Sequence, residues 1–149
     1  MLLKEICTLD VASCGRGVGI LEAARLMRQY HTGDLIIVDD PDGDRVPAGI
    51  VTDRDIVVEV LAKGLDPAET KVAQIMSGKL VIAAAEEDTS DAIERMRLHG
   101  VRRLPVVDHD GRLMGIVTLD DMLKLHAAQA AELSGIVSKE QNREHRTKR

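Results

Sequence analysis

The sequence predicts an α+β fold made of two copies of one unit, with a long helix closing the chain. Three observations carry this expectation. The stretch Gly49-Ile50-Val51-Thr52-Asp53-Arg54-Asp55 recurs as Gly115-Ile116-Val117-Thr118-Leu119-Asp120-Asp121, with Gly, Ile, Val, Thr and the final Asp in the same places. Each copy reads as a short buried strand running into a helix, the apolar run supplying the strand and Thr-x-x-Asp the helix start. Ala127, Ala128, Ala130, Ala131 and Leu133 then prolong the last helix where the first copy has no counterpart.

The repeat runs through most of the chain. Ile6-Cys7-Thr8 aligns with Ile75-Met76-Ser77, Glu22-Ala23 with Asp91-Ala92, Met27-Arg28 with Met96-Arg97, and Val38-Asp39 with Val107-Asp108. The first copy is longer only between Val38 and Gly49, where Asp-Gly turn chemistry absorbs an insertion. Residues 1–66 and 67–134 are thus expected as the two copies, and 135–149 as a basic helical tail. A chain of 149 residues is one compact domain's worth, and halves this small are expected to share a core.

In the first copy, residues 5–18 carry little pattern. A short strand is expected at 12–14, and Gly15 to Gly19 reads as a turn, since the context of a phosphate-binding glycine loop is missing. Residues 20–30 follow a helical period, with Ile20, Ala24 and Met27 on one face. Residues 34–38 read as a buried strand and 47–52 as a second. The acidic turn between them, with Asp40, Asp42 and Asp44, lacks the glycine position and closing Glu of a calcium loop. Residues 53–62 read as a helix with Ile56, Val57, Val60 and Leu61 inward, stopped by Gly64. After the Asp66-Pro67 break the order repeats, with strands at 80–84, 104–107 and 113–118 and a helix at 89–99. The last helix is expected from Leu119 to Ser134-Gly135, resuming through 136–143.

Composition excludes several functions. The formal net charge is −5, and the tail from Lys139 to Arg149 has five Lys or Arg against two Glu, so the body is more acidic still. An acidic body with Tyr30 as its one aromatic argues against nucleic-acid binding. Cys7 and Cys14 form no Cys-x-x-Cys pair, and no leader or membrane-length apolar run is present, so a cytoplasmic protein with reduced thiols and no membrane association is expected. His31, His99, His109, His126 and His145 lack metal-ligand spacing, and no nucleophile–base arrangement is evident, so neither a metal site nor an enzyme is expected. His126 aligns with Val60 and reads as a packed or interface histidine.

Two readings of Thr52/Asp55 and Thr118/Asp121 are open on the residues alone. Thr-x-x-Asp forms a capping box, worth about 0.5–2 kcal/mol without any ligand. The same geometry also offers helix amides to an anion, and a carboxylate to the hydroxyls of a ribose. Arg54, Arg102 and Arg103 suit phosphate, while ion pairs to the acidic body would equally account for Arg102 and Arg103.

The repeated Gly-Ile-Val-Thr-x-x-Asp, with Arg103-Leu104-Pro105-Val106-Val107-Asp108, Ile75-Met76-Ser77 and Asp91-Ala92, resembles the signature of the cystathionine β-synthase (CBS) domain over about residues 5 to 128. The resemblance implies a stand-alone tandem pair, a Bateman module. Two β-α-β-β-α motifs would pack through their sheets with pseudo-twofold symmetry and leave two clefts for adenosine ligands. It implies Asp55 and Asp121 at ribose hydroxyls, and Thr52, Thr118, Arg54, Arg102 and Arg103 at phosphate. Ile50, Ile82, Pro105 and Ile116 would flank the adenine. AMP, ADP, ATP or S-adenosylmethionine would be the ligand, and the pair would act as a homodimeric sensor of an unidentified regulated protein. Gly33-Asp34 stands where the second copy has Arg102-Arg103, so one site is expected to be tighter than the other. The alternative is a ligand-free interaction module in which Thr-x-x-Asp is only a cap.

Overall fold

The computed structural model describes residues 1–148. Two three-stranded sheets form its centre. In the first, β1 (Ser13–Gly15) lies parallel to β2 (Asp34–Asp39), which pairs antiparallel with β3 (Val46–Thr52). In the second, β4 (Ala83–Ala84), β5 (Arg103–Val107) and β6 (Leu113–Thr118) repeat that order and those directions. The parallel pairs need crossovers, which α2 (Ile20–Tyr30) and α5 (Thr89–His99) supply. The antiparallel pairs need only turns, and the predicted acidic turn is one of them. Its left-handed residues are Asp40 and Arg45, whereas Gly111 takes that conformation in the second copy.

Each sheet buries one face under its own helices and turns the other toward its twin. Ile20, Ala23, Met27, Leu35, Ile37, Val51 and Val60 form one cluster. Ala92, Met96, Leu104, Val106, Val117 and Met122 form the other. Between the sheets, Ile36, Val38 and Leu113 pack with Val11, Ile50 and Ile116. The expected sheet-on-sheet pairing therefore holds, but the single shared core is replaced by two cores and a thin seam.

The copies are intertwined at their leading segments. Helix α1 (Leu3–Ile6) packs its buried Leu3 into the second cluster, and α4 (Val72–Ile75) packs Val72 into the first. After each short helix the chain crosses the other copy's final strand. Thr8 exchanges two backbone hydrogen bonds with Ile116, at 2.9 and 3.0 Å, and the Ser77 N–H donates to the Ile50 carbonyl at 3.1 Å. The glycine of the repeated motif is required at this crossing. A Cβ on Gly49 would lie 2.8 Å from the Ser77 oxygen, and one on Gly115 2.8 Å from the Thr8 oxygen.

Four expectations need correction. Ala23, not Ala24, is the buried alanine of α2, because the helix presents the face one residue earlier to the sheet. Helix α3 starts as one α-turn (Asp53–Asp55) and continues as a π-helix (Ile56–Leu61). The wider winding carries Val57 and Leu61 to the surface and leaves Val60 buried. His126, the equivalent of Val60, is exposed, since α6 (Leu119–Thr147) is one unbroken 29-residue helix that leaves the body after Met122. It runs straight through Ser134-Gly135, and its residues beyond Leu125 are exposed. Among the described residues, no helix is long and apolar enough to cross a membrane.

Candidate functional site

The two crossings build two clefts. Each takes its floor from the final strand of one copy and its wall from the leading segment of the other. The first, of about 320 Å³, has Ile50 and Thr52 of β3 on its floor beside Pro105 of β5, with Ser77, Lys79, Leu80 and Val81 crossing over it and Arg102 and Arg103 at its edge. The second, of about 250 Å³, has Ile116 and Thr118, crossed by Thr8, Asp10, Val11 and Ala12 and edged by Tyr30, Thr32, Asp34 and Arg103. These volumes sit near the small end of ligand pockets.

At each cleft the threonine begins a helix. The Thr52 Oγ1 accepts from the Asp55 N–H at 3.1 Å, and the Asp55 Oδ2 accepts from the Thr52 N–H at 2.9 Å. Thr118 and Asp121 repeat both bonds at 3.2 and 2.9 Å. The capping box is therefore complete in both copies. The helix is also tied back by its first amide: the Asp53 N–H donates to the Gly33 carbonyl and the Leu119 N–H to the Arg102 carbonyl. These bonds fix each carboxylate one residue triplet beyond its threonine.

The expected site residues separate into groups. Ile50, Thr52, Pro105, Arg102 and Arg103 come together at the first cleft, and Ile116 and Thr118 at the second. Arg103 lines both. Asp55, Asp121, Arg54 and Ile82 are not among the lining side chains. Arg54 is exposed and donates its amide to the Asp53 Oδ1, and Ile82 offers its carbonyl to Arg95, so that Leu80 and Val81 stand where Ile82 was expected. Sequence reasoning passed over Lys79 and Asp10, which the repeat aligns with each other. Nothing in either residue alone marks it, because the crossing that brings each over the opposite copy is a tertiary fact.

Arg103 meets the second reading given to it. Its Nε lies 2.5 Å from the Asp34 Oδ2, and the Thr32 hydroxyl donates to the Asp34 Oδ1 at 2.7 Å. Both oxygens of this nearly buried carboxylate are thus engaged. Catalytic features are weak by comparison. Burial pushes the Cys14 thiol up to about 11, and it also raises that of Cys7, which makes both poor nucleophiles. Asp108, His109 and Asp110 are the cluster among the described residues whose donor atoms approach one another closely, on an exposed turn. There the Asp108 carboxyl, held below the usual carboxylate range first by the Arg112 N–H, serves the turn itself.

Comparison with known proteins bears on this geometry. A family model described as CBS domain matches residues 3–62 and 72–128. Uncharacterized protein MK0525 of Methanopyrus kandleri is 35% identical over 121 residues, which is 81% of this chain and 60% of that protein's own length. The CBS domain-containing protein YhcV of Bacillus subtilis is 38% identical over 120 residues, 80% of this chain and 81% of YhcV. Among solved structures, the CBS domain pair of protein MJ0100, in complex with 5'-methylthioadenosine and S-adenosyl-L-methionine, superposes with a TM-score of 0.74 at 27% identity. It covers 87% of this chain and 98% of that one.

Proposed function

The chain belongs to the CBS domain family, and on that premise we propose that it is a non-catalytic regulatory module binding an adenosine-containing nucleotide of the AMP, ADP or ATP kind. The observation that carries this reading is the Thr52 cleft. Its apolar floor of Ile50 and Pro105 suits a base, and Lys79, Arg102 and Arg103 gather at its edge where a phosphate would need cations. Thr52 meets the phosphate and Asp55 the ribose hydroxyls, while Thr118 and Asp121 serve the second cleft. The adenosine moieties held by the MJ0100 pair support the choice of ligand class. Ligand bound across a crossing touches both copies, so it favours one packing of the sheets over others. That differential affinity is what regulation requires.

The module works in the cytoplasm as a homodimer. Val57, Val58 and Leu61 on α3, and Leu123, Leu133, Ile136 and Val137 on α6, are exposed apolar side chains available to a second copy. Sedimentation showing only monomer at micromolar concentration refutes this part.

Thermal unfolding with a panel of AMP, ADP, ATP and S-adenosylmethionine tests the ligand. At a hundredfold excess over the dissociation constant, binding adds about 2.7 kcal/mol, a rise of roughly 5–10 °C for a chain this size. Asp55→Ala abolishes the rise given by the nucleotide of the Thr52 cleft. The completeness of both capping boxes favours a second reading, a ligand-free interaction module. That reading stands if no ligand moves the midpoint while Asp55→Ala and Asp121→Ala both lower it.

A further inference from the structure

We propose that the two clefts select adenosine ligands of opposite charge, and that Arg103, shared between them, couples the two. This rests on the adenosine-binding reading above and assigns the ligand class of each cleft. The repeat makes the contrast legible, because residues in equivalent places carry opposite signs. Lys79 crosses the Thr52 cleft where Asp10 crosses the Thr118 cleft, and Arg103 occupies the place that Asp34 occupies in the first copy. The Thr52 cleft is lined by three cations and no acid. The Thr118 cleft has two acids, Asp10 and Asp34, and only Arg103 to set against them.

A phosphate entering the Thr118 cleft would meet two carboxylates in a partly desolvated space, where like charge is costly. A neutral or cationic adenosine derivative meets none of that penalty, and a sulfonium or ammonium centre gains from it. The phosphate role that the resemblance gives Thr118 is therefore not used; its hydroxyl faces an uncharged part of the ligand.

Arg103 and Asp34 are pseudo-twofold mates that bond to each other across the seam, with the arginine reaching into both clefts. A nucleotide phosphate in the Thr52 cleft competes with Asp34 for the same guanidinium. When the phosphate takes it, Asp34 loses its counter-ion, and the Thr118 cleft turns from one net negative charge to two. An anion in one cleft thereby raises the affinity of a cation in the other, and by linkage the reverse holds.

The test uses calorimetric titration of the full chain with AMP and with S-adenosylmethionine, on the parent and on Lys79→Asp and Asp10→Lys. Both substituted residues are exposed and bear on folding little. The parent is expected to bind one AMP per chain. Lys79→Asp weakens AMP at least tenfold and leaves S-adenosylmethionine unchanged. Asp10→Lys weakens S-adenosylmethionine at least tenfold and leaves the first AMP unchanged. Saturating AMP tightens S-adenosylmethionine by about fivefold or more, and Arg103→Gln removes that gain. Two equal AMP sites in the parent, or ligands that bind but ignore both charge reversals, overturn the assignment while leaving the adenosine reading intact. An unchanged S-adenosylmethionine affinity in the presence of AMP overturns the coupling. If neither ligand binds the parent, the adenosine reading fails and this inference with it.

Discussion

Alanine at position 115 separates the packing role of the motif glycine from any role in ligand binding. Gly115 has no positive φ, so the backbone accepts an L side chain there without strain. What forbids it is the crossing segment: the new Cβ would lie 2.7 Å from the Cys7 Sγ and 2.8 Å from the Thr8 carbonyl oxygen. The sulfur can swing aside, but the carbonyl is held by the Ile116 N–H, and the Thr8 N–H is held in turn by the Ile116 carbonyl. Moving the segment away strains or breaks both bonds, each worth about 0.5–1.5 kcal/mol net. Against that stands about 0.4–1 kcal/mol gained from a stiffer unfolded chain. The expected outcome is a loss of about 1–2 kcal/mol, seen as a midpoint lower by roughly 2–8 °C in a thermal melt. Gly135 supplies the contrast, since it lies inside α6 with no atom within 4 Å of its would-be Cβ. Gly135→Ala should raise stability by about 0.5–1 kcal/mol. A Gly115→Ala midpoint at or above that of the parent refutes the steric account of the crossing.

Asp121→Ala removes one half of a capping box and should cost about 0.5–2 kcal/mol in urea unfolding without any ligand present; no loss would mean the box seen at α6 contributes nothing. Asp88 caps α5, and its carboxyl is held well below the usual carboxylate range by the Ser90 N–H first, then by the Met1 ammonium and the Ser90 hydroxyl. A depressed carboxyl stabilises the fold above its ordinary value and loses that contribution as pH falls toward its folded value. The stability gap between the parent and Asp88→Ala should therefore be constant between about pH 5 and 7, narrow steadily in acid, and narrow again in alkali as the Met1 ammonium, raised by Asp88, loses its proton; a gap that does not change with pH contradicts this. Cys14 is buried with its thiol pushed up to about 11, so iodoacetamide at mildly alkaline pH should leave it unmodified in the folded protein and label it only on unfolding. Rapid native labelling of Cys14 would show that the β1 edge opens.

Where the chain pattern is long and local, sequence and structure coincide. Helix α5 spans Thr89–His99 and β6 spans Leu113–Thr118, the bounds that periodicity gives, because an amphipathic helix and a strand facing one core announce their own period. Helices α1 and α4 are four residues each, shorter than any period can reveal, and they owe their shape to Leu3 and Val72 plugging the opposite core. Strand β4 shrinks to Ala83–Ala84 because Leu80 and Val81 before it are drawn over the Thr52 cleft, following the single bridge of Ser77 to Ile50 of β3. The π-winding of α3 was not legible, since Ile56, Val57, Val60 and Leu61 make an acceptable α-helical face on paper. For the clefts, Thr52 and Thr118 were named from the repeat, Arg102 and Arg103 from their charge before a buried run, and Pro105 and the two central isoleucines from the family resemblance. Lys79, Asp10 and the Arg103–Asp34 bond depend on which copy crosses which, and a single sequence does not carry that.

The complete capping boxes are compatible with the proposed ligand binding. In each box the threonine oxygen acts as acceptor toward the amide of the aspartate, which leaves its own proton uncommitted. The aspartate commits Oδ2 to the threonine amide, and a carboxylate has acceptor capacity beyond one such bond. Both groups are therefore held in place by the fold, with Thr52 and Thr118 among the cleft-lining residues and Asp55 and Asp121 not among them. A helix start that is only a cap would work equally well on any strand–helix junction. Here both junctions sit beneath the crossing of the opposite copy, and the residues crossing them have diverged in charge while Thr and Asp have not. On the proposed reading, the retained residues would hold what two ligands have in common, and the residues that differ would face what sets them apart.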